Sequence, residues 1–179
     1  MNLYLLRHSN AADQPPAGKR GDRFRQLTSE GREKAVVIGR AIQRLELGLE
    51  LILTSPADRA LETAELVRGV LSPQPPLEVL DDLWIGGDPW RVVARLGVGR
   101  KKLQSAMLVG HEPDLGRFAS TLLTGGAGMK VVFKKGGLCG LEIGRLARGR
   151  CASLAWHLTP RQLRMLAGEK GTRGGKGTG

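Results

Sequence analysis

The stretch Asn2-Leu3-Tyr4-Leu5-Leu6-Arg7-His8-Ser9-Asn10-Ala11 constrains this chain more than any other. Leu3, Leu5 and Leu6 with Tyr4 form a short apolar run of strand character, and the run stops abruptly at Arg7-His8, where two cationic donors stand side by side. In an open α/β sheet, ligands bind in the crevice beyond the carboxyl ends of the strands, so a first strand ending in Arg-His is placed to meet an anion. Taken alone, the pair is equally compatible with a solvated arginine and a loop histidine satisfied by its neighbours. The rest of the chain has to decide between them.

Ala12 to Gln26 is polar, holds Pro15, Pro16, Gly18 and Gly21, and carries Lys19, Arg20, Arg23 and Arg25; it predicts a mobile basic flap beside the strand end. Thr28 then caps a helix whose apolar positions Ala35, Val36, Ile38, Ile42 and Leu45 recur at helical spacing. Leu49, Leu51, Ile52 and Leu53 make a second strand that ends at Thr54-Ser55-Pro56, and a second helix runs from there to about Leu71. A short extended piece from Leu77 to Leu80 follows a proline-rich loop, and Asp88 is placed to cap a modest helix from Trp90 to Leu96. Ala106 to Val109 is a third core strand, closing on Gly110-His111-Glu112-Pro113, with a helix from Leu115 to Leu123 behind it. Val131 to Phe133, Leu138 to Ile143 and Cys151 to His157 read as extended, and Thr159-Pro160 opens a last short helix. Strands alternating with helices ahead of a β-rich end define an α/β chain, a three-layer α/β/α sandwich on a mostly parallel central sheet.

A chain of 179 residues fits one domain, here 1–167, followed by a Gly/Lys-rich tail over 168–179 that is expected to be disordered. No apolar run reaches the roughly 20 residues that a membrane span needs, and no basic leader precedes the first strand, so a soluble, cytoplasmic protein without membrane association is expected. Cys139 and Cys151 lack a Cys-x-x-Cys or His-rich spacing and read as small buried strand residues; no metal and no cofactor is expected. The net charge of +11 favours anionic partners. The few aromatic residues are not interleaved with the basic ones, and nucleic acid is not expected among those partners.

The three predicted core strands end alike. Arg7-His8 follows the first, Ser55-Pro56 with Arg59 follows the second, and Gly110-His111 follows the third. On one edge of a parallel sheet these groups would share a crevice, and arginine forks with nearby helix N-termini at Ser55 and Glu112 suit a phosphoryl group.

The segments Leu6-Arg7-His8-Ser9-Asn10-Ala11, Leu27-Thr28-Ser29-Glu30-Gly31-Arg32, Ser55-Pro56-Ala57-Asp58-Arg59-Ala60-Leu61-Glu62-Thr63-Ala64-Glu65 and Val109-Gly110-His111-Glu112-Pro113 resemble the histidine phosphatase (phosphoglycerate mutase-like) superfamily. Within it they are most similar to the SixA-type phosphohistidine phosphatases, whose ending resembles Trp156-His157-Leu158-Thr159-Pro160. The resemblance implies that His8 is a nucleophile that is transiently phosphorylated, with Arg7, Arg59 and His111 around the phosphoryl oxygens and no metal. A backbone carbonyl on one His8 nitrogen would leave the other free to attack, and Arg7, Arg59 and a protonated His111 are expected to lower its pKa. Ser55 is expected to bind substrate phosphate, through a backbone that begins a helix facing the crevice.

Ser9 stands where the superfamily commonly has Gly or Ala, and Trp84-Ile85 falls where its phosphomonoesterase branches usually supply a proton-donating Glu. A missing acid suits P–N cleavage better than P–O cleavage, since imidazole with its other nitrogen protonated leaves more readily than an alkoxide. Asp88 and Glu112 are substitute acids, each also readable as a helix cap or first-turn residue. Thr63 reads as packing, Trp84, Trp90 and Trp156 as core or rim, and His157 as structural. The resemblance implies a phosphorylated protein as partner; the alternatives are a phosphomonoesterase for small molecules or polyphosphate, and a non-catalytic phosphate-binding module.

Overall fold

Successive residues of a strand face opposite ways, and in the first strand both sets are buried: Leu3 and Leu5 enter one core, Tyr4 and Leu6 the other. That strand is the centre of a three-layer architecture, seen in a computed structural model that describes residues 1–97 and 103–169. In chain order the elements are β1 (Asn2–Arg7), α1 (Ser29–Arg44), β2 (Ile52–Thr54), α2 (Asp58–Val70), β3 (Leu77–Val79), α3 (Pro89–Gly97), β4 (Ser105–Gly110), α4 (Asp114–Thr124), β5 (Leu138–Ile143), β6 (Ala152–Leu158) and α5 (Pro160–Leu166). Single 3₁₀ turns lie at Asp22–Phe24 and Asp81–Leu83.

The sheet order is β3-β2-β4-β1-β5-β6, parallel from β3 to β1 and antiparallel across β5 and β6. Helices α3 and α4 cover one face through Val92, Leu96, Leu115 and Phe118. The other face is covered by α1, α2 and α5, through Ile38, Ile42, Ala64, Val67 and Leu163. Full burial of Leu3, Leu5 and Leu6 contributes about 1.5–3 kcal/mol each, so the strand that carries Arg7 is held from both sides. Register then sets the site: Arg7 lies opposite Gly110 and Thr54 opposite Val109, which brings the ends of β1, β2 and β4 to one line.

Close approaches explain individual residues of the motifs. Thr28 Oγ1 accepts from the Gly31 N–H at 3.0 Å, as the predicted cap requires. A Cβ on Gly31 would stand 2.0 Å from the Asn10 carbonyl oxygen, so only glycine lets α1 pack against the loop that follows His8. Gly140 likewise makes room for Trp156, which stacks on Tyr4 at 5.7 Å.

The structure corrects several expectations. Val131 to Phe133 is not a strand; Phe133 is fully buried, but side chains, not a neighbouring strand, bond its backbone. The second strand is Ile52–Thr54 alone, and Val37 faces the core where Val36 was expected. Helices α2 and α4 begin at Asp58 and Asp114 instead of Ser55 and Glu112, because Ser55 Oγ turns back to accept the Ala57 N–H at 3.3 Å and Pro113 occupies the N-cap of α4. Cys151 lies just before β6 and is only half-buried. At the end of α5 the N–H groups of Gly168 and Glu169 bond the Met165 and Arg164 carbonyls, with Gly168 at φ 79, a left-handed closure of the helix. The rest of the expected tail, 170–179, lies outside the described residues. Among the described residues no helix is long and apolar enough to cross a membrane.

Candidate active site

His8 leaves β1 with its backbone N–H bonded to the Gly110 carbonyl at 3.0 Å, which ties the loop to the neighbouring strand. Its Nδ1 lies 2.7 Å from the Ser9 carbonyl oxygen. A carbonyl can only accept, so the proton of the neutral ring sits on Nδ1 and the lone pair on Nε2. The backbone of Ser9 is itself held through its other polar group, the N–H donating to Thr63 Oγ1 at 3.1 Å while Thr63 donates to the Arg59 carbonyl at 2.6 Å.

Arg59, the second residue of α2 and 3% exposed, aims its guanidinium at that lone pair: Nε donates to His8 Nε2 at 3.3 Å. Its other two nitrogens are taken by one residue of the flap. Nη1 donates to the Asp22 carbonyl and Nη2 to Asp22 Oδ2, both at 2.7 Å. Asp22 Oδ1 accepts from Arg25 Nη1 at 2.8 Å, and Arg25 Nε donates to the Ala12 carbonyl at 2.6 Å. The flap expected to be mobile is therefore tied down at the site.

His111 follows β4 and sits beside His8, ring centroids 5.1 Å apart. Its Nε2 lies 2.8 Å from Ser55 Oγ, so Ser55 contributes a hydroxyl to the site and not the start of a helix. Trp84 closes one wall, edge-on to His111 at 5.6 Å, with the Arg59 guanidinium 5.9 Å from the centre of its ring. Arg7 donates through Nη1 to the Phe133 carbonyl at 2.6 Å, and Glu112 Oε1 accepts the Phe133 N–H at 2.7 Å. The backbone of one residue, Phe133, thus binds both charged side chains. Asp88 Oδ1 accepts the Trp90 N–H at 2.8 Å, the capping role expected of it.

Burial dominates the electrostatics. It pushes His8 down to about 3, opposed by the Ser9 carbonyl and reinforced by His111, Arg59 and Arg7. His111 falls to about 4, first by burial and then by the Arg59 charge. The protonated His111 expected from the sequence is accordingly corrected: both rings are neutral near pH 7, because a charged imidazolium would be desolvated beside two guanidinium groups. Burial raises the Asp22 carboxyl, but the bonds from Arg25 and Arg59 outweigh it and hold the group below its ordinary value. Glu112 is raised by burial against the opposing Phe133 N–H and Arg7 charge.

Arg7, His8, Ser55, Arg59 and His111 thus meet at one end of the sheet, as the sequence implied. Sequence reasoning missed Asp22, hidden in a segment read only for its basic charge, and took Thr63 as packing when it holds Ser9. His157 packs its ring on Phe133 at 4.8 Å, a structural role as expected.

The fold is that of a class of phosphatases. Residues 3–84 match the family described as histidine phosphatase superfamily (branch 1), and the chain belongs to it. An uncharacterized protein of Picosynechococcus sp. is 36% identical over 80% of this chain and 86% of its own. Phosphohistidine phosphatase SixA of Escherichia coli (strain K12) is 25% identical over 92% of this chain and 98% of its own. In fold, the chain is similar to the protein histidine phosphatase SixA complexed with tungstate, at TM-score 0.78 and 24% identity over 91% of this chain and 99% of that one. An alpha-ribazole phosphatase from Shigella flexneri shares the fold at TM-score 0.66 and 19% identity, covering 89% and 97%.

Proposed function

We propose that this phosphatase takes a phosphoryl group from a phosphohistidine-bearing protein onto His8 and passes it to water. One observation carries the reading. Arg7 Nε, Ser9 Oγ and His111 Nδ1 are buried side-chain atoms without a hydrogen-bond partner, and all three belong to residues around one imidazole. Buried polar groups are almost always bonded, and orphans gathered around a nucleophile match the needs of an oxyanion. The similarity to SixA supports the choice of substrate.

The chemistry balances on this chain's own side chains. His8 Nε2 attacks phosphorus; its N–P bond forms as the P–N bond to the substrate imidazole breaks, and that ring departs neutral if its other nitrogen already carries a proton. Water then attacks phosphorus, the N–P pair returns to Nε2, both water protons leave on the phosphate, and Nδ1 keeps its own. Arg7 and Arg59 cover charge on the equatorial oxygens, the main requirement of phosphoryl transfer. A dedicated acid is dispensable for such a leaving group, which agrees with the commitment of Asp88 and Glu112 to backbone N–H groups.

One feature favours a second reading, a phosphomonoesterase for small molecules: a cavity of about 210 Å³ beside His111, walled by Trp84, Val92, Leu115 and Phe118. The deciding experiment compares hydrolysis of a phosphohistidine protein with that of a simple phosphomonoester, with His8→Ala as blank and an alkaline denaturing quench to trap label on His8. Faster P–N cleavage with label on His8 is expected. Preference for the ester supports the second reading, and affinity without label that survives in His8→Ala overturns both in favour of a phosphate-binding module.

A further inference from the structure

We propose that Asp22 is a positioning residue for the proposed reaction: it fixes the plane of the Arg59 guanidinium so that its Nε edge faces His8 Nε2. The inference rests on His8 being the phosphoryl acceptor.

The geometry is specific. A guanidinium has five N–H donors spread over three nitrogens in one plane. Here each nitrogen has an acceptor, His8 Nε2 at 3.3 Å and two Asp22 oxygens at 2.7 Å. The two shorter bonds come from a backbone carbonyl and a carboxylate of the same residue, so together they define an end stop for the group. Without them the guanidinium would be oriented only by the longer bond to His8 and by Trp84 beyond its face. Because both Asp22 bonds fall on Nη atoms, one N–H on each Nη is left for phosphoryl oxygens.

Asp22 is itself braced. Arg25 holds its second carboxylate oxygen and is in turn anchored on the Ala12 carbonyl, four residues beyond His8, so the chain of bonds starts and ends at the nucleophile loop. The short 3₁₀ turn at Asp22–Phe24 presents the carboxylate and the carbonyl of Asp22 in one direction. In the basic segment from Lys19 to Arg25 this is the only acidic residue, and it alone reaches the buried arginine.

A group that orients a catalytic arginine acts on the transition state more than on substrate affinity, so its removal lowers kcat with little change in KM. The test measures both constants on an aryl phosphate for Asp22→Ala and Asp22→Asn, with thermal unfolding of each variant. The expected result is a fall in kcat of about 20-fold or more for Asp22→Ala with KM within about 3-fold, and recovery of most of the loss in Asp22→Asn, which keeps an oxygen for Nη2. Unchanged constants overturn the proposal and reduce the contact to a fastening of the loop. A raised kcat overturns it in favour of a carboxylate that substrate must displace. Equal losses in both variants that track a lower unfolding temperature overturn it in favour of folding alone. A wild-type protein that turns over neither aryl phosphate nor phosphohistidine overturns the catalytic reading itself, which an active wild type beside an unaffected Asp22→Ala does not.

Discussion

Nε of Arg59 donates to Nε2 of His8 across 3.3 Å, so the lone pair proposed to attack phosphorus is the one this guanidinium already faces. The arrangement keeps His8 in one tautomer between a carbonyl acceptor and an N–H donor, and it places positive charge beside the proposed path of the phosphoryl group.

Arg59→Lys should therefore be far from conservative. A lysine ammonium cannot present one edge to His8 and another to Asp22, and the variant is expected to lose about 100-fold or more in kcat, roughly 3 kcal/mol of transition-state stabilisation. Steady-state kinetics on an aryl phosphate check this; a loss below about 5-fold would show that charge alone suffices.

Both histidines should stay neutral through the physiological range. Nuclear magnetic resonance titration of the His8 and His111 rings is expected to show no protonation step between pH 5.5 and 8, given folded values near 3 and 4. Linkage then fixes a sign: below pH 6.5 the unfolded chain takes up protons that the folded one refuses, so each ring destabilises the fold by up to about 1.4 kcal/mol per pH unit as pH falls toward its folded value. Denaturant unfolding from pH 7 to 5 should show a shallower fall in His111→Gln than in wild type.

Thr63→Val should uncouple the nucleophile loop from α2. The substitution keeps the volume but removes the acceptor of the buried Ser9 N–H, at a cost of about 1–3 kcal/mol, and so loosens the residue whose carbonyl orients His8. Thr63→Ser should retain both stability and turnover; equal damage from the two variants would point to packing.

Gly31→Ala should strike the same loop from the other side. With 2.0 Å between the new Cβ and the Asn10 oxygen, backbone must move, and a loss of about 1–3 kcal/mol is expected in denaturant unfolding.

Arg20 and Arg23 remain exposed on the pinned flap and are free to steer an acidic partner protein. For such a substrate kcat/KM is expected to fall steeply with ionic strength, and less so in an Arg20→Ala, Arg23→Ala double variant. Rates independent of salt would remove the steering role.

The sheet and the two arginines and two histidines at its edge were legible because they rest on local signals. Apolar runs such as Leu3–Leu6 and Ala106–Val109 mark strands buried on both faces, and in a parallel sheet the residues that follow such strands must gather at one edge. Motif spacing then supplied Arg59 and His111. Phe133 shows the limit of such signals: its apolar neighbours imitate a strand, whereas its backbone N–H and C=O serve Glu112 and Arg7.

By itself, the sequence determined the layers and the strand ends, since periodicity and short-range capping act over a few residues, while the candidate nucleophile His8 came from the resemblance of its motifs to a family. Only the tertiary structure decided how those groups are held and charged. Asp22 meets Arg59 across 37 positions and Arg7 meets Phe133 across 126, contacts that no local pattern encodes. The neutrality of His111 has the same origin, for desolvation depends on which distant segments close over the ring.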